Sequence, residues 1–215
     1  MKLAAPLAMN AVLRIVVVTP DLEAEAYDEY ERAQGDRSRS LRIGLLENGF
    51  NVVASLPADV FLTERIAQLR PDMIVVDAES DARDALEHVV MATRDARRPI
   101  VMFTNDQDRN NVRAAVAAGV SAYIVAGLSP ERIRPILDVA MARFEHEQSL
   151  LAELADAKAE IKDRKVIDRA KGLLMQRQQL SEEAAYAKLR KTAMDKNLKL
   201  VDLAQRMLDA VDLLG

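Results

Sequence analysis

The chain has 215 residues, half of them hydrophobic and 30% charged, with a formal net charge of −4. This length favours two modest domains, or one domain with an appendage, and the apolar share is enough for a packed core. The absence of cysteine excludes disulfides and thiolate metal sites, and no apolar run approaches the roughly 20 residues of a membrane span. The N-terminal stretch is too short for a signal peptide, so a cytoplasmic location is expected.

Five short apolar runs alternate with helical segments along the first two thirds of the chain, which is the pattern of a doubly wound, five-stranded parallel sheet. The first helix is expected to end near Asn48, with Gly49 as its C-cap, and helix five is expected to begin near Pro130. Residues 22–42 exceed what a first helix requires, and the sequence does not decide between a longer helix and an insertion. The strands are predicted at 13–18, 50–53, 73–76, 100–103 and 122–125, and the second, third and fourth helices at 59–69, up to about 95, and at 107–118.

Polar residues at the carboxyl ends of the strands line the functional crevice of such sheets. These positions include no pair of nucleophile and base and no credible set of metal ligands, so an enzyme is the least favoured class of protein. The two histidines, His88 and His146, are far apart in sequence and are expected on helix surfaces. The residues predicted to line the crevice are Thr19, Asp21, Asp77, Thr104 and Ala126.

Helix five is predicted to continue well beyond the sheet, because no Gly or Pro interrupts residues 136–171. Apolar residues keep close to heptad spacing along it, which indicates a coiled coil that is weakened at Glu147 and Lys158. The alternative is a single amphipathic linker helix packed on its own domains. The predicted seam consists of Ile133, Leu137, Ala140, Phe144, Leu151, Leu154 and Ile161.

Residues 164–199 are strongly basic, with ten Lys and Arg against four Asp and Glu. A basic stretch in an acidic chain suggests a polyanionic partner, although a solvated helix surface has the same composition. Apolar residues recur there at helical spacing, Ser181 is an expected N-cap, and a break is expected at 195–197. Three short helices are therefore predicted, and the apolar stripe of the second contains Ala184, Ala185, Leu189 and Ala193.

Two segments, AKGLLMQR (170–177) and SEEAAYAKLRKTAMDKN (181–197), resemble the ANTAR domain, a three-helix RNA-binding module of bacterial antiterminators. The resemblance covers about fifty residues and implies binding to a pair of small stem-loops in leader RNA. The matching positions are Ala170, Lys171, Gly172, Met175, Ala184, Leu189, Arg190, Ala193 and Ala204.

The region of alternating strands and helices, residues 13–144, resembles the receiver domain of response regulators, which has a flavodoxin-like fold. Asp77 matches the phosphoacceptor position and Thr104 matches the switch hydroxyl. Receivers also carry paired acids after strand one, where this chain has Thr19 and only Asp21 nearby. Too few carboxylates would leave Mg²⁺ without ligands.

A second departure is Ala126, which stands after strand five where receivers carry a Lys. Without that Lys, an aspartyl phosphate loses its fixed counter-charge. A degenerate receiver is therefore expected, with no cofactor, no Mg²⁺ in the crevice and little phosphorylation of Asp77.

A receiver-like domain, a coiled-coil helix and an ANTAR module together resemble the AmiR/NasT family, and in particular its nitrate/nitrite antiterminators. The resemblance implies a transcription antiterminator that binds leader RNA and is held inactive by a NasS-like nitrate/nitrite sensor protein. The apolar seam in residues 131–161 separately suggests that the active protein is a homodimer. The stretches that look alike are RPIVMFT (98–104), GVSAYIV (119–125), RPILDVAMARFE (134–145) and AKGLLM (170–175). The domains are predicted at 1–130 with helix five extending to about 144, at 131–163 for the coiled-coil linker, and at 164–215 for the ANTAR bundle.

The RNA contacts can be predicted from the residue types in the basic stretch. Tyr186 is the only aromatic residue after Phe144, which excludes a multi-aromatic stacking platform on the module. Recognition is therefore expected to depend on phosphate contacts, with Arg or Gln reaching exposed loop bases. The first candidates are Lys171, Arg177, Arg190, Lys191 and Lys196, followed by Lys165, Arg169, Lys188 and Gln176.

Two alternatives remain open at this point. A DNA-binding response regulator would also join a receiver to a basic helical module, but no segment shows a clear helix-turn-helix pattern with a Gly turn. An interaction scaffold would use the coil and the bundle for protein contacts only.

Overall fold

A computed structural model of the chain describes residues 12–19, 29–77, 82–94, 96–125 and 129–214. The chain divides into two compact units, Met1–Glu147 and Gln148–Gly215. Asp21 and Ala126, two of the predicted crevice residues, lie outside the described residues. The predicted three-part division of the chain stays a prediction.

The first unit contains a five-stranded parallel sheet in the order β2-β1-β3-β4-β5, which confirms the predicted doubly wound fold. The strands are β1 (Arg14–Thr19), β2 (Asn51–Pro57), β3 (Met73–Asp77), β4 (Ile100–Thr104) and β5 (Ala122–Val125). The helices of this unit are α1 (Glu29–Glu47), α2 (Leu62–Leu69), α3 (Ala82–Ala92), α4 (Arg109–Ala117) and the first part of α5 (Pro130–Gln178).

Both faces of the sheet are covered, because successive side chains of a strand point to opposite faces. Val16 and Val18 of β1 pack in a core formed with α2, α3 and α4. Ile15 and Val17 of the same strand pack in a second core, formed with α1 and α5. This two-sided burial explains why the central strands consist of continuous apolar runs.

The end of β2 and the start of α2 differ from the predicted boundaries. β2 continues to Pro57, which lies opposite Thr19 of β1, because β2 pairs along the whole of β1. The following turn is closed by the Asp59 carboxylate, which accepts a hydrogen bond from the Phe61 amide at 2.9 Å. α2 consequently begins at Leu62, three residues later than expected.

Helix α1 includes the described part of the segment that the sequence left undecided, so residues 29–42 are helical. A Cβ added at Gly44 would lie 2.5 Å from Cδ1 of Ile133, so the glycine permits close packing of α1 against α5. Gly49 ends α1 with a φ of +78°, as expected for a C-cap glycine.

Helix α5 confirms the predicted long helix but divides its apolar seam into two parts. Ile133, Leu137 and Ala140 are buried against the sheet, so the prediction of one coiled-coil seam is wrong for this part. Leu151 and Leu154 are 43% and 49% exposed, as is Ile161 at 57%. None of the described helices combines the length and the apolar character that crossing a membrane requires.

The second unit contains three helical segments: the end of α5, α6 (Glu182–Asp195) and α7 (Leu200–Leu214). Ser181 is the N-cap of α6 and accepts a hydrogen bond from the Ala184 amide at 3.3 Å, as predicted. The side chain of Ala184 itself is exposed, so its place in the apolar stripe was wrong. The bundle core consists of Ala170, Leu174, Ala185, Leu189, Ala193, Leu203, Ala204 and Leu208.

Candidate nucleic-acid interface and receiver crevice

The receiver crevice is formed at the carboxyl ends of three adjacent strands. Thr19, Asp77 and Thr104 are the last residues of β1, β3 and β4, so the structure brings these predicted crevice residues together. Asp77 and Thr104 are both buried. The sheet order changes direction between β1 and β3, which is where crevices of this fold bind ligands.

Asp77 is engaged by two side chains of α1. The Ser38 hydroxyl donates a hydrogen bond to Oδ2, and Nε of Arg37 lies 3.2 Å from Oδ1. The Asp77 side chain is 2% exposed and that of Arg37 is 17% exposed. Both carboxylate oxygens of the predicted phosphoacceptor position are therefore already paired within the protein.

Neither of these partners was predicted from the sequence. They lie 39 and 40 positions from Asp77, in the segment whose structure the sequence did not decide. The only available signal was the run RSRS (37–40), which places a guanidinium beside a hydroxyl. In the fold, this run puts a positive charge next to a buried carboxylate.

The Thr104 hydroxyl is held by the loop that follows β4, where it accepts a hydrogen bond from the Asp106 amide at 3.0 Å. The Asp106 carboxylate accepts in turn from the amide of Asp108 at 2.8 Å and from Nδ2 of Asn111 at 2.6 Å. These hydrogen bonds lower the pKa of Asp106. Burial raises the pKa of Tyr123, whose hydroxyl lies 3.5 Å from the Asp106 carbonyl oxygen.

The fit of the crevice to Mg²⁺ can be judged from its carboxylates. Within the described part of the chain, no group of three or more His, Cys, Asp or Glu could hold a metal ion. The buried carboxylate of Asp77 is paired with Arg37 and Ser38 instead. Asp21 lies outside the described residues, so the expected absence of Mg²⁺ stays a prediction.

Lys171, a first candidate for RNA binding, has partners within the second unit. Its ammonium lies 2.9 Å from Oδ1 of Asp168 and 2.7 Å from Oε1 of Glu182. The first pair lies within α5, and the second joins α5 to the first turn of α6. The hydrogen bond to Glu182, followed by that to Asp168, raises the pKa of Lys171, and the hydrogen bond from Lys171 lowers the pKa of Asp168.

The second group of candidates includes a row on α5. Lys165, Arg169 and Gln176 are exposed and are spaced so that they share the face of the helix opposite the buried Leu174. Gly172 lies in the same row, and a Cβ added there would meet no atom within 4 Å. Packing within the described chain therefore does not require a glycine at this position.

The remaining candidates lie on α6 and at the helix ends. Arg190 and Lys191 are on the exposed side of α6, whereas Nζ of Lys188 donates a hydrogen bond to Oε1 of Gln178 at 2.6 Å. Arg177 lies in the last turn of α5 and Lys196 is the C-cap of α6. Lys188 therefore helps to join α6 to the end of α5.

Comparisons with known proteins identify one domain of the chain. A model of the ANTAR domain matches residues 155–208, which include the end of α5, all of α6 and most of α7. The transcriptional regulatory protein PdtaR of Mycobacterium tuberculosis is 27% identical over 167 residues, covering 78% of this chain and 82% of that protein. The chain therefore contains an ANTAR domain, which lies at residues 155–208.

Two further similarities are narrower in what they support. The nitrate regulatory protein of Klebsiella oxytoca is 45% identical to this chain over 64 residues, which are 29% of this chain and 16% of that protein. The signal receiver domain of a modulated diguanylate cyclase from Desulfovibrio desulfuricans G20 superposes with a TM-score of 0.50 at 19% identity, covering 64% of this chain and 99% of that one. At this level of identity the structural likeness supports the receiver fold alone.

The paired state of Asp77 leads to a prediction about phosphorylation. Incubation with acetyl phosphate and Mg²⁺ should leave the chain unmodified, because Arg37 and Ser38 occupy both oxygens of the carboxylate that would attack. Intact-mass spectrometry measures this directly. A stable adduct that forms in the wild type and is absent in Asp77→Asn would contradict the prediction.

The Lys171 bridge leads to a prediction about pH. Its contribution to stability should be present above the ordinary aspartate pKa of 3.8 and be lost as the pH falls through the lowered pKa of Asp168. The difference in melting temperature between wild type and Lys171→Met should therefore shrink as the pH falls from about 6 to about 2. Lys199→Met, which removes an exposed ammonium, is the matched control. A difference that is independent of pH would show that the bridge contributes nothing.

Proposed function

We propose that this ANTAR-domain protein is a response regulator and transcription antiterminator that binds paired stem-loops in leader RNA and prevents formation of a terminator. The observation that carries the proposal is the separation of charge. Residues 164–199 hold ten Lys and Arg against four Asp and Glu in a chain of net charge −4, and this stretch lies within one compact helical unit. Such a local surplus of positive charge favours a polyanionic ligand.

The hydrogen bonds and ion pairs within the second unit narrow the set of side chains that are proposed to contact RNA. Lys171 and Lys188 have partners within the unit, which makes them structural first and RNA contacts second. No hydrogen bond or ion pair within the described chain involves the side chains of Lys165, Arg169, Gln176, Arg177, Arg190, Lys191 and Lys196. We infer that these side chains contact RNA.

The regulatory input is proposed to be a partner protein rather than a phosphoryl group. Support comes from the Asp77 carboxylate, whose oxygens are paired with side chains of α1. A NasS-like sensor of nitrate or nitrite fits this proposal, with nitrate/nitrite-assimilation genes as the target. The similarity to the nitrate regulatory protein of Klebsiella oxytoca supports that assignment over a short segment. Because nascent RNA is the ligand, the protein is proposed to act in the cytoplasm and to have no catalytic activity.

The RNA-binding proposal predicts a difference between nucleic acids. Fluorescence anisotropy should show tight, salt-dependent binding of the full chain to the labelled two-hairpin leader of its target genes. Lys191→Ala should weaken binding to all RNAs and reduce the salt slope by about one unit for the lost phosphate contact. Arg190→Ala should in addition reduce discrimination, by about 1–3 kcal/mol if the guanidinium makes a bidentate contact with a base.

Two controls separate this prediction from general charge effects. Arg143→Ala removes one positive charge from an exposed position of the first unit, outside the predicted seam, and should alter the affinity far less than Lys191→Ala. Duplex DNA of the same sequence and an unstructured RNA of equal length provide the comparison ligands. Equal affinity for all three nucleic acids would overturn the proposal.

The exposed half of the α5 seam is proposed as the dimer contact. Leu151, Leu154 and Ile161 are each more than two fifths exposed at near-heptad spacing, and a second copy of the helix would bury them. The Leu151→Asp/Leu154→Asp variant should lower the mass of the RNA-bound complex measured by light scattering. Ala152→Asp, on an exposed position outside the seam, is the matched control. If the double variant keeps the wild-type mass, the seam is not the dimer contact.

A further inference from the structure

Helix α6 presents an apolar feature that its charge does not explain. Among the described side chains of residues 166–211, the exposed large hydrophobic ones are Tyr186, at 43%, and Met194, at 71%. Single exposed hydrophobic residues are common and need no explanation. These two, however, lie on the same helix with a guanidinium between them.

The spacing places the three side chains in one row. Tyr186, Arg190 and Met194 follow each other at intervals of four, so they lie along one side of α6 over about 12 Å. The buried positions of α6 are Ala185, Leu189 and Ala193, each adjacent in sequence to a member of this row. The row is therefore held rigidly by the packed face of the helix while it faces solvent itself.

Each member of the row has a chemical property that suits a nucleic-acid base. The Tyr186 ring can stack on the face of a base, as aromatic side chains do in complexes with single strands. The Arg190 guanidinium can donate to a base edge or to the adjoining phosphate, and no hydrogen bond or ion pair within the described chain involves it. The polarizable Met194 thioether can cover the far side of the base.

The surroundings favour RNA over a protein as the ligand of this row. Lys191 is exposed next to Arg190, and the whole stretch 164–199 carries a surplus of positive charge. Tyr, Met and Arg are also common in protein interfaces, but Lys is depleted there, so the surplus of Lys and Arg around the row is what favours a polyanion. An unpaired nucleotide suits both the apolar side chains and the positive charge of this row, because its base has an apolar face and its phosphate is an anion.

We propose that Tyr186, Arg190 and Met194 form the docking site for one unpaired loop base of a stem-loop RNA. Tyr186 and Met194 stack on the base, and Arg190 binds its edge or its phosphate. The proposal rests on the proposed RNA-binding function and adds to it a residue-level site of base recognition. One tyrosine suffices for one base, which is compatible with the absence of a multi-aromatic platform.

Substitutions at Tyr186 test the site in the full chain. Tyr186→Leu should raise the Kd for the labelled two-hairpin leader RNA by about 5- to 150-fold, the range that measured base stacking implies. Tyr186→Phe, which keeps the ring, should recover most of that loss. Because the side chain is 43% exposed, neither change should alter the melting temperature by more than a few degrees. An unchanged Kd in Tyr186→Leu, with Lys191→Ala still weakening binding, would overturn the site.

An abasic scan identifies the base and separates stacking from a general loss of structure. Each loop nucleotide of the leader RNA is replaced in turn by an abasic nucleotide and is tested against wild type and Tyr186→Leu. At one loop position the abasic RNA should bind both proteins with equal affinity, because the stacking partner is already missing. If the effect of Tyr186→Leu persists at every abasic position, the tyrosine does not contact a base.

A direct optical readout is available because the chain contains no tryptophan. Tyr186→Trp introduces a single reporter, whose fluorescence should be quenched by the two-hairpin RNA and not by the RNA that is abasic at the identified position. Quenching by both RNAs would contradict the proposal. If the wild-type chain binds none of these RNAs, the proposed function itself fails, and this result is distinct from binding that is indifferent to Tyr186.

Discussion

The receiver-like unit depends on the pairing of one buried carboxylate. Asp77 ends the central strand β3 with 2% of its side chain exposed, and burying an unpaired carboxylate costs several kcal/mol or more. Arg37 and Ser38 offset this cost, and both come from α1. α1 must therefore lie over the crevice for the carboxylate charge to be paired. The same helix supplies Leu41 and Leu45 to the core that it forms with α5 and the sheet, so the pairing of Asp77 also fixes this packing. The residue that defines a signalling site in receivers is here part of the structural framework.

The ANTAR unit uses charge in two ways that the sequence alone does not separate. Lys171 lies between two carboxylates and joins α5 to the N-terminal turn of α6, where the helix dipole also favours Glu182. Lys188 joins the same two helices through Gln178. Exposed ion pairs contribute little to stability individually, so their role is mainly to fix the orientation of α6. With α6 fixed, Arg190 and Lys191 are presented to solvent together.

The elements were predictable where burial alone determines the pattern. The strands predicted from the continuous apolar runs of β3, β4 and β5 agree with the structure to within one residue. A strand that is covered on both faces has few positions for polar residues, so its sequence is apolar throughout. Helix periodicity was less informative, since Ile133 and Leu151 follow the same spacing although one packs on the sheet and the other is exposed. A shift of one position, from Ala185 to Ala184, likewise rotates a side chain by about 100° and moves it from the core to solvent.

The functional sites were less predictable than the fold, for a physical reason. The pairing of Asp77 with Ser38 spans 39 residues, and that of Lys171 with Glu182 crosses a turn. Neither follows from local spacing. Candidate RNA contacts were chosen by residue type, but a cation that already has a carboxylate partner must break that pair before it binds a phosphate. The structure therefore separates the candidates that already have a partner within the unit from those that are available to bind RNA. Composition cannot make this distinction.

The balance between affinity and discrimination follows from this division. Phosphate contacts through exposed Lys and Arg strengthen binding to every RNA, and their contribution falls with increasing salt. A regulator that relied on phosphate contacts alone would be bound mostly to other cellular RNA, which is present in large excess. A single contact such as the proposed stacking on Tyr186 would contribute about 1–3 kcal/mol of discrimination for an unpaired base over a paired one, whatever the identity of the base, which is modest for one stem-loop. Two stem-loops on one RNA, bound by the two copies of a dimer, would apply that discrimination twice and gain from the high effective concentration of the second site. On this argument, a dimer contact on the exposed half of the α5 seam and a base contact on α6 are needed together, because neither alone selects a paired stem-loop.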